Sequence, residues 1–316
     1  MQVPLLSALR ADQCFHGIAM ERFYELEGIS RQAYFQGMLR QKEEQAMMLK
    51  VAERVKAYRQ NKDRHAGSRS LYYNLGIKEL LGLGVSKFER LLSEYNLTLA
   101  PYKTRLVTTQ SCARSRAYSN LARGLIINGI NQLVVGDLTY IKFADWVYYL
   151  FMLTDVYSAR IVGWYLGQRM RAIEAHHAFK QWEQLRDRNQ IKGSIHHTDG
   201  GSQYFANLYL ESMNACQLRI SVADNCLDNG FAEQRNGLLK QHFLPTVADL
   251  HPERITQSID EIMYFYNHER KQEALGWLSP VEFEQQWANH PNPPRMQLYD
   301  RQKKILTTRQ RGFLEA

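Results

Sequence analysis

Along the first hundred residues the apolar positions recur at steps of three and four, and from residue 131 they crowd into short β-branched and aromatic runs. Met48, Val51, Val55 and Tyr58 mark one buried helical face. In LEGISRQAYF a glycine turn is followed by Ser30 as a cap for a new helix, a helix-turn-helix pattern. A second such unit is predicted in LGLGVSKFERLLSEYNL. There Gly84 allows the turn, Ser86 caps, and Val85, Phe88, Leu91 and Leu92 form the packing face while Lys87 and Arg90 point away from it. Pairs of helices of this kind serve DNA binding and purely structural roles alike. Beyond residue 131, Leu133–Phe143, Trp146–Thr154 and Arg160–Gly167 predict an antiparallel three-stranded meander. WVYYLFMLT is apolar almost throughout, so this strand is expected to be central, with both faces covered.

A helix over Arg171–Arg188, a strand Gly193–His197, a helix Gln203–Cys216, a strand Leu218–Val222 and helices from about Asn229 and Ile255 are expected to follow. Three strands and then alternating helix and strand give an α/β fold, a ribonuclease-H-like core with a mixed five-stranded sheet, preceded by all-α helix-turn-helix domains. In such a sheet ligands gather where neighbouring strands end or diverge. The late segment YNHERKQEALGWLSPVEFEQQW reads as a helix, a turn closed by Ser279-Pro280, and another helix packing on the core. Arg270 there is either DNA-facing or part of a structural ion pair. ANHPNPPRM is proline-rich and non-helical, and RQKKILTTRQR is basic, an arm or a tail. The expected boundaries are 1–60 and 61–100 for the two helical regions, 101–125 for a linker, 126–245 for the core, 246–290 for the packing helices and 291–316 for the tail.

Charge changes the picture because it is uneven. Residues 1–130 hold twenty Lys/Arg against eleven Asp/Glu, and residues 131–316 twenty against twenty-one, so the whole net charge of +8 lies in the first part. Within 101–130, Lys103, Arg105, Arg114, Arg116 and Arg123 stand without one acidic residue, suited to a path along phosphates or to a solvated linker. Cys14, Cys112, Cys216 and Cys226 show no CxxC spacing and are too few for a disulfide scaffold. The longest apolar stretch, Trp146–Leu153, falls far short of the roughly 20 residues of a membrane span. With no secretory signal in the first residues, a soluble cytoplasmic protein is expected.

Three acids are the candidate chemistry. Asp137 lies inside the apolar run LVVGDLTYI, where an unpaired charge is costly and calls for a metal, a lysine or a proton. Asp199 ends GSIHHTDGG, as a ligand or as a plain Asp-Gly turn. Glu233 opens a helix four residues after Asn229, where the helix dipole alone favours an acid, and Lys240 lies seven positions on, two turns along the same face. Oxygen-only donors select magnesium (Mg2+) or manganese (Mn2+). Zinc is disfavoured because His196 and His197 are adjacent on a strand and point to opposite faces. No GxxxxGKS phosphate loop is present. Ser158 and Ser202 lack evident histidine and acid companions, and Trp146, Tyr148, Tyr149 and Trp164 are expected in the core.

VGDLTYI, HHTDGGSQY, DNGFAEQRNGLLK and YNHERKQEALGWLSPVEF, in this order over roughly residues 125–287, resemble blocks of bacterial insertion-sequence transposases of the DDE class, related to retroviral integrases. GISRQAYF and GVSKFERLLSEYNL resemble the helical DNA-binding modules that precede the core in that family's larger product. The resemblance implies a catalytic and metal-binding triad of Asp137, Asp199 and Glu233, supported by Asn229, with Lys240 meeting the terminal DNA. It implies two Mg2+ ions, replaceable by Mn2+, and magnesium-dependent cleavage at element ends followed by 3′-hydroxyl strand transfer. Double-stranded DNA, as terminal inverted repeats and as target, is the implied partner, bound also by Lys87, Arg90, Lys103, Arg105, Arg114 and Arg116. A homodimer or larger assembly, association with the bacterial nucleoid, and the product of an upstream reading frame as a further partner belong to the same expectation, with no membrane. Sixty-one residues separate Asp137 from Asp199 and thirty-three separate Asp199 from Glu233, the second interval slightly short for that family. ERKQEALG also departs from its pattern, at Lys271 and Gln272. Two other functions fit the same residues: a DNA-binding regulator with an inactive core, and a metal-dependent nuclease without joining.

Overall fold

The computed structural model describes residues 24–25, 28–99, 117–143, 146–224, 229–244 and 252–298. Lys103, Arg105, Arg114, Arg116 and the basic tail, with Cys14, Cys112 and Cys226, lie outside them. The chain divides into two compact units, residues 1–57 with 90–97, and residues 58–89 with 98–316. No helix among the described residues is long and apolar enough to cross a membrane.

The amino-terminal region is helical as its periodicity requires. Helix α1 (Arg31–Asn61) is capped by Ser30, whose Oγ accepts from the Ala33 N–H at 3.1 Å, and it buries Met48, Val51 and Val55. Short helices α2 (Ser68–Asn74) and α3 (Ile77–Leu81) follow, then α4 (Val85–Glu94). The second turn differs from expectation. Gly82, at φ +65°, is the left-handed residue, closing α3 by donating its N–H to Lys78 O. Helix α4 already begins at Val85, and Gly84 O accepts from Phe88 N, so Ser86 lies inside the first turn and is not its cap. Phe88, Leu91 and Leu92 are buried, while Lys87 and Arg90 are exposed, Arg90 pairing with Glu94 at 3.5 Å.

The second unit is organised by a mixed five-stranded sheet in the order β4-β3-β2-β5-β6. Strands β2 (Leu133–Phe143), β3 (Trp146–Asp155) and β4 (Ile161–Gly167) form the antiparallel meander, and β5 (Ile195–Thr198) and β6 (Arg219–Val222) add in parallel. A two-residue strand β1 (Ile126–Ile127) pairs antiparallel with β7 (Met296–Gln297), so the segment after ANHPNPP returns to the core. One face of the sheet packs Val134, Phe151, Leu153 and Val162 against α5 (Ala172–Leu185) and α7 (Asn207–Ala215). The other face packs Ile141, Leu150 and Met152 against α8 (Gly230–Leu238), the π-helical turn Leu239–Phe243 that continues it, and α9 (Pro252–Tyr264).

Strand β3 is an inner strand, between β4 and the central β2, and is buried from Leu150 onward, but Trp146 is 54 % and Val147 39 % exposed. The β2–β3 hairpin outruns its neighbours, since β5 pairs with β2 only over Leu133–Gly136 and β4 reaches β3 only from Tyr149. The expected helix Arg171–Arg188 is also interrupted. Arg186 is extended, and the side chain of Asp187 caps a separate turn α6 (Arg188–Ile191) by accepting from Asn189 N. Burial of the Arg186 guanidinium against Glu284 at 2.5 Å accounts for the break. Similarly, a 3-10 turn (Ser202–Phe205) precedes α7 where one helix was expected.

Two buried charge clusters tie the late helices to other parts of the second unit. Asp155, fully buried, accepts from the N–H groups of Asn131, Tyr157 and Ser158, while Glu284 of α10 (Pro280–Trp287) accepts from Ser158 Oγ at 2.8 Å and from Arg160 at 2.6 Å. Ser158 is therefore structural. The Ser279-Pro280 start of α10 carries a full capping box with Glu282. Fully buried Asp63 lies 2.5 Å from His242 Nδ1 and accepts from Arg270 Nε at 3.3 Å, which makes Arg270 an ion-pair partner.

Candidate active site

The parallel pairing of β2 and β5 ends at Gly136 opposite Thr198. Asp137 and Asp199 are each the next residue, so the two strands deliver two carboxylates side by side where the sheet opens. Gly136 is required by what lies beneath. A Cβ there would stand 2.8 Å from His196 Cε1 and 3.1 Å from Leu153 Cδ2. His196 cannot yield, because its Nδ1 lies 3.2 Å from Val134 O and its Nε2 2.9 Å from the Tyr209 hydroxyl. Burial holds the ring neutral, with its pKa down at about 4. Both its nitrogens are engaged, and His197 pairs through Nδ1 with Ser221 Oγ at 2.8 Å. These histidines thus serve the interior.

Helix α8 supplies the third acid. Ala232 packs in the cluster with Leu133 and Val135, which lays the helix against β2 and places Glu233 in its first turn. Asn229 occupies the N-cap position but makes no side-chain cap hydrogen bond. Its amide is buried, with neither polar atom partnered among the described residues.

One turn after Glu233, Asn236 donates from Nδ2 to Asp137 Oδ2 at 2.5 Å, while Asp137 Oδ1 accepts from the Leu138 N–H at 2.8 Å. Asn236 was not singled out in the sequence. Its signal there was the three-residue spacing from Glu233, which repeats one helical face. Asp199 Oδ1 accepts from Gly201 N at 3.1 Å, so the Asp-Gly turn is present at the same carboxylate.

The charge of Asp199 bears on both of the other acids. Burial and then the negative charge of Asp199 push Asp137 up to about 7, against the bonds from Leu138 and Asn236, with Glu233 adding to the rise. Burial raises Asp199, and burial followed by Asp199 raises Glu233. Mutual repulsion of this kind is relieved by protons or by a cation, and three oxygen donors suit a hard divalent ion. The side chains do not converge on a single point: among the described residues no three His, Cys, Asp or Glu stand close enough to hold one metal together.

Lys240 falls in the π-helical turn, so it is not on a regular two-turn α-helical stripe with Glu233. Its ammonium lies 4.4 Å from the centroid of the Tyr140 ring, burial lowers its pKa, and Asp137 opposes that shift. Gln272 is buried and accepts from Arg235, and the Lys271 N–H donates to Asn74, both structural contacts. Of the aromatics expected in the core, Tyr148 is buried, Tyr149 and Trp164 are partly buried against it, with the Trp164 indole donating to Asp260 at 2.8 Å, and only Trp146 is exposed, at the end of the hairpin.

Residues 128–226 match the integrase core domain family. Over 225 residues the chain is 30 % identical to an uncharacterised 31 kDa protein of insertion element IS600 from Shigella sonnei, spanning 70 % of this chain and 82 % of that one. The transposase of insertion sequence IS904 from Lactococcus lactis is 31 % identical over 182 residues, 54 % of this chain and 70 % of its own. The putative transposase of IS986/IS6110 from Mycobacterium tuberculosis is 29 % identical over 234 residues, 69 % and 81 %. Among solved structures, the HTLV-2 integrase catalytic core domain in complex with magnesium aligns at 19 % identity and TM-score 0.42, covering 51 % of this chain and 99 % of that domain. The chain belongs to the insertion-sequence transposases, polynucleotidyl transferases with an integrase catalytic core.

Proposed function

We propose that this transposase cleaves DNA at the ends of its insertion sequence and joins the resulting 3′-hydroxyl to a second phosphodiester, with Asp137, Asp199 and Glu233 as its catalytic residues. The observation that supports this most directly is the placement of two of these acids one residue beyond the last β2–β5 pair, with the charge of Asp199 raising the affinity of both Asp137 and Glu233 for positive charge. The donor set suits two magnesium ions, for which manganese would substitute, and ions held there would supply activation of an entering oxygen and stabilisation of a leaving one. Asn236 would keep Asp137 Oδ2 turned toward α8, leaving the carboxylate oriented when it takes up its ligand. Lys240 would meet the DNA backbone next to the acids. Exposed Lys87 and Arg90, together with Lys103, Arg105, Arg114 and Arg116, would bind flanking duplex, and holding two ends at once calls for a homo-oligomer.

The test is a joining assay on duplexes carrying the element's own ends, labelled at the 3′ strand, with and without magnesium. The wild-type protein should nick and then join. Asp137→Asn, Asp199→Asn and Glu233→Gln should bind the ends but do neither. Nicking without joined product would favour a nuclease, and binding alone by the wild-type protein would favour a regulator. Any variant that joins at the wild-type rate would remove its residue from the site.

A further inference from the structure

Tyr140 lies three residues beyond Asp137, where β2 has lost its β5 partner and forms an open edge. At a rise of about 3.3 Å per residue its backbone is about 10 Å from that of Asp137. Its neighbours Thr139 and Ile141 are buried, yet Tyr140 itself is 51 % exposed. Lys240 covers one face of that ring at 4.4 Å and is at the same time within electrostatic reach of Asp137. The lysine thus lies against an exposed aromatic face, and its ammonium feels the charge of an acid that would act on a phosphate. Cross-strand Tyr149 is half-buried and packed on the core, which backs the Tyr140 position with a rigid strand pair.

An ammonium beside an open ring is the pairing that takes a nucleotide apart into its two components. The cation attracts the phosphate and the ring stacks the base, in a way that tolerates any base identity. We propose that the outer face of Tyr140 is the stacking site for the unpaired base adjoining the scissile phosphate, with Lys240 taking the phosphate itself. This rests on the function proposed above and adds to it a base-binding subsite. A base can reach the ring only once it has left the duplex stack, so the subsite would select frayed or opened ends.

The experiment places 2-aminopurine, one position at a time, at the nucleotides flanking the cleavage point and follows its fluorescence on binding, with catalysis blocked by omitting magnesium. One position should be quenched by the wild-type protein and by Tyr140→Phe, and not by Tyr140→Ala or Tyr140→Leu. An abasic site at that position should weaken end binding by about tenfold in the wild-type protein, within the range of base–aromatic stacking, and should cost Tyr140→Ala nothing further. Thermal melting should show all three variants folded, since the ring is surface-exposed, and the leucine variant keeps apolar cover without the aromatic face. Equal quenching by the alanine and wild-type proteins, or an abasic penalty that survives in the alanine variant, would overturn the subsite while leaving the joining reaction standing. Failure of the wild-type protein to bind or cleave element ends at all would overturn both.

Discussion

Gly136→Ala tests whether the position of Asp137 is set from below by His196. The added Cβ would lie 2.8 Å from His196 Cε1, at least 0.6 Å inside the 3.4 Å lower limit of ordinary contact, and 3.1 Å from Leu153 Cδ2. The imidazole is tethered at both nitrogens, so relief must come from movement of β2 or of the ring together with Tyr209. Overpacking of this sort costs about 1–3 kcal/mol. A strand displaced by a few tenths of an ångström carries Asp137 with it. Misplacement by about 1 Å costs roughly 100-fold in rate, so a three- to tenfold loss of end cleavage is expected. Urea unfolding of wild type, Gly136→Ala, His196→Ala and the double variant should give a coupling of at least about 1 kcal/mol, because removing the ring removes the clash. A Gly136→Ala protein within about 0.5 kcal/mol of wild type, or strictly additive costs, would refute the reasoning. Full stability loss with unchanged cleavage would show that β2 absorbs the strain without moving its carboxylate.

Asn236→Ala removes the donor to Asp137 Oδ2 and should lower joining by about 10–100-fold with end binding retained, read from single-turnover rates. An unchanged rate would make that hydrogen bond incidental. Asp63→Ala leaves Arg270 buried without its carboxylate and should destabilise by about 3–5 kcal/mol in denaturant titration, whereas a loss below 1 kcal/mol would show the cluster to be hydrated. His196 has a folded pKa of about 4 against 6.5 unfolded, so its neutral form is favoured by folding. That stability is fully present above pH 6.5 and is lost as pH falls toward 4, by about 3 kcal/mol at 1.36 kcal/mol per unit. The stability difference between the wild type and His196→Gln should therefore shrink over that window, and a constant difference would rule out a neutral buried ring.

Features governed by local repetition were legible before any coordinates. Alternating and continuous apolar runs marked β2, β3 and β4 nearly to the residue, because half-buried and fully buried strands write their environment into consecutive positions. Asp137 was conspicuous for the same reason, as a charge inside such a run, and the HHTD and DNGFAE blocks carried the resemblance that named the core. Adjacent residues could also rule out a shared histidine site, since pleating alone sends His196 and His197 to opposite faces.

Contacts between distant segments left no such trace. Asn236 reaches an acid 99 positions away, and Asp63 meets His242 and Arg270 across 179 and 207 positions, so their roles exist only once the sheet has ordered the chain. The same holds for small displacements of local expectation: the left-handed residue at Gly82, the break at Arg186, and the π-turn that carries Lys240 over Tyr140. Each reflects a competition that periodicity does not register, between the conformation a segment prefers and the partner that packing brings to it. Residue spacing could place three acids on a strand, a strand end and a helix. Bringing Asp137 and Asp199 side by side required the register of β2 on β5, and that register belongs to the folded sheet.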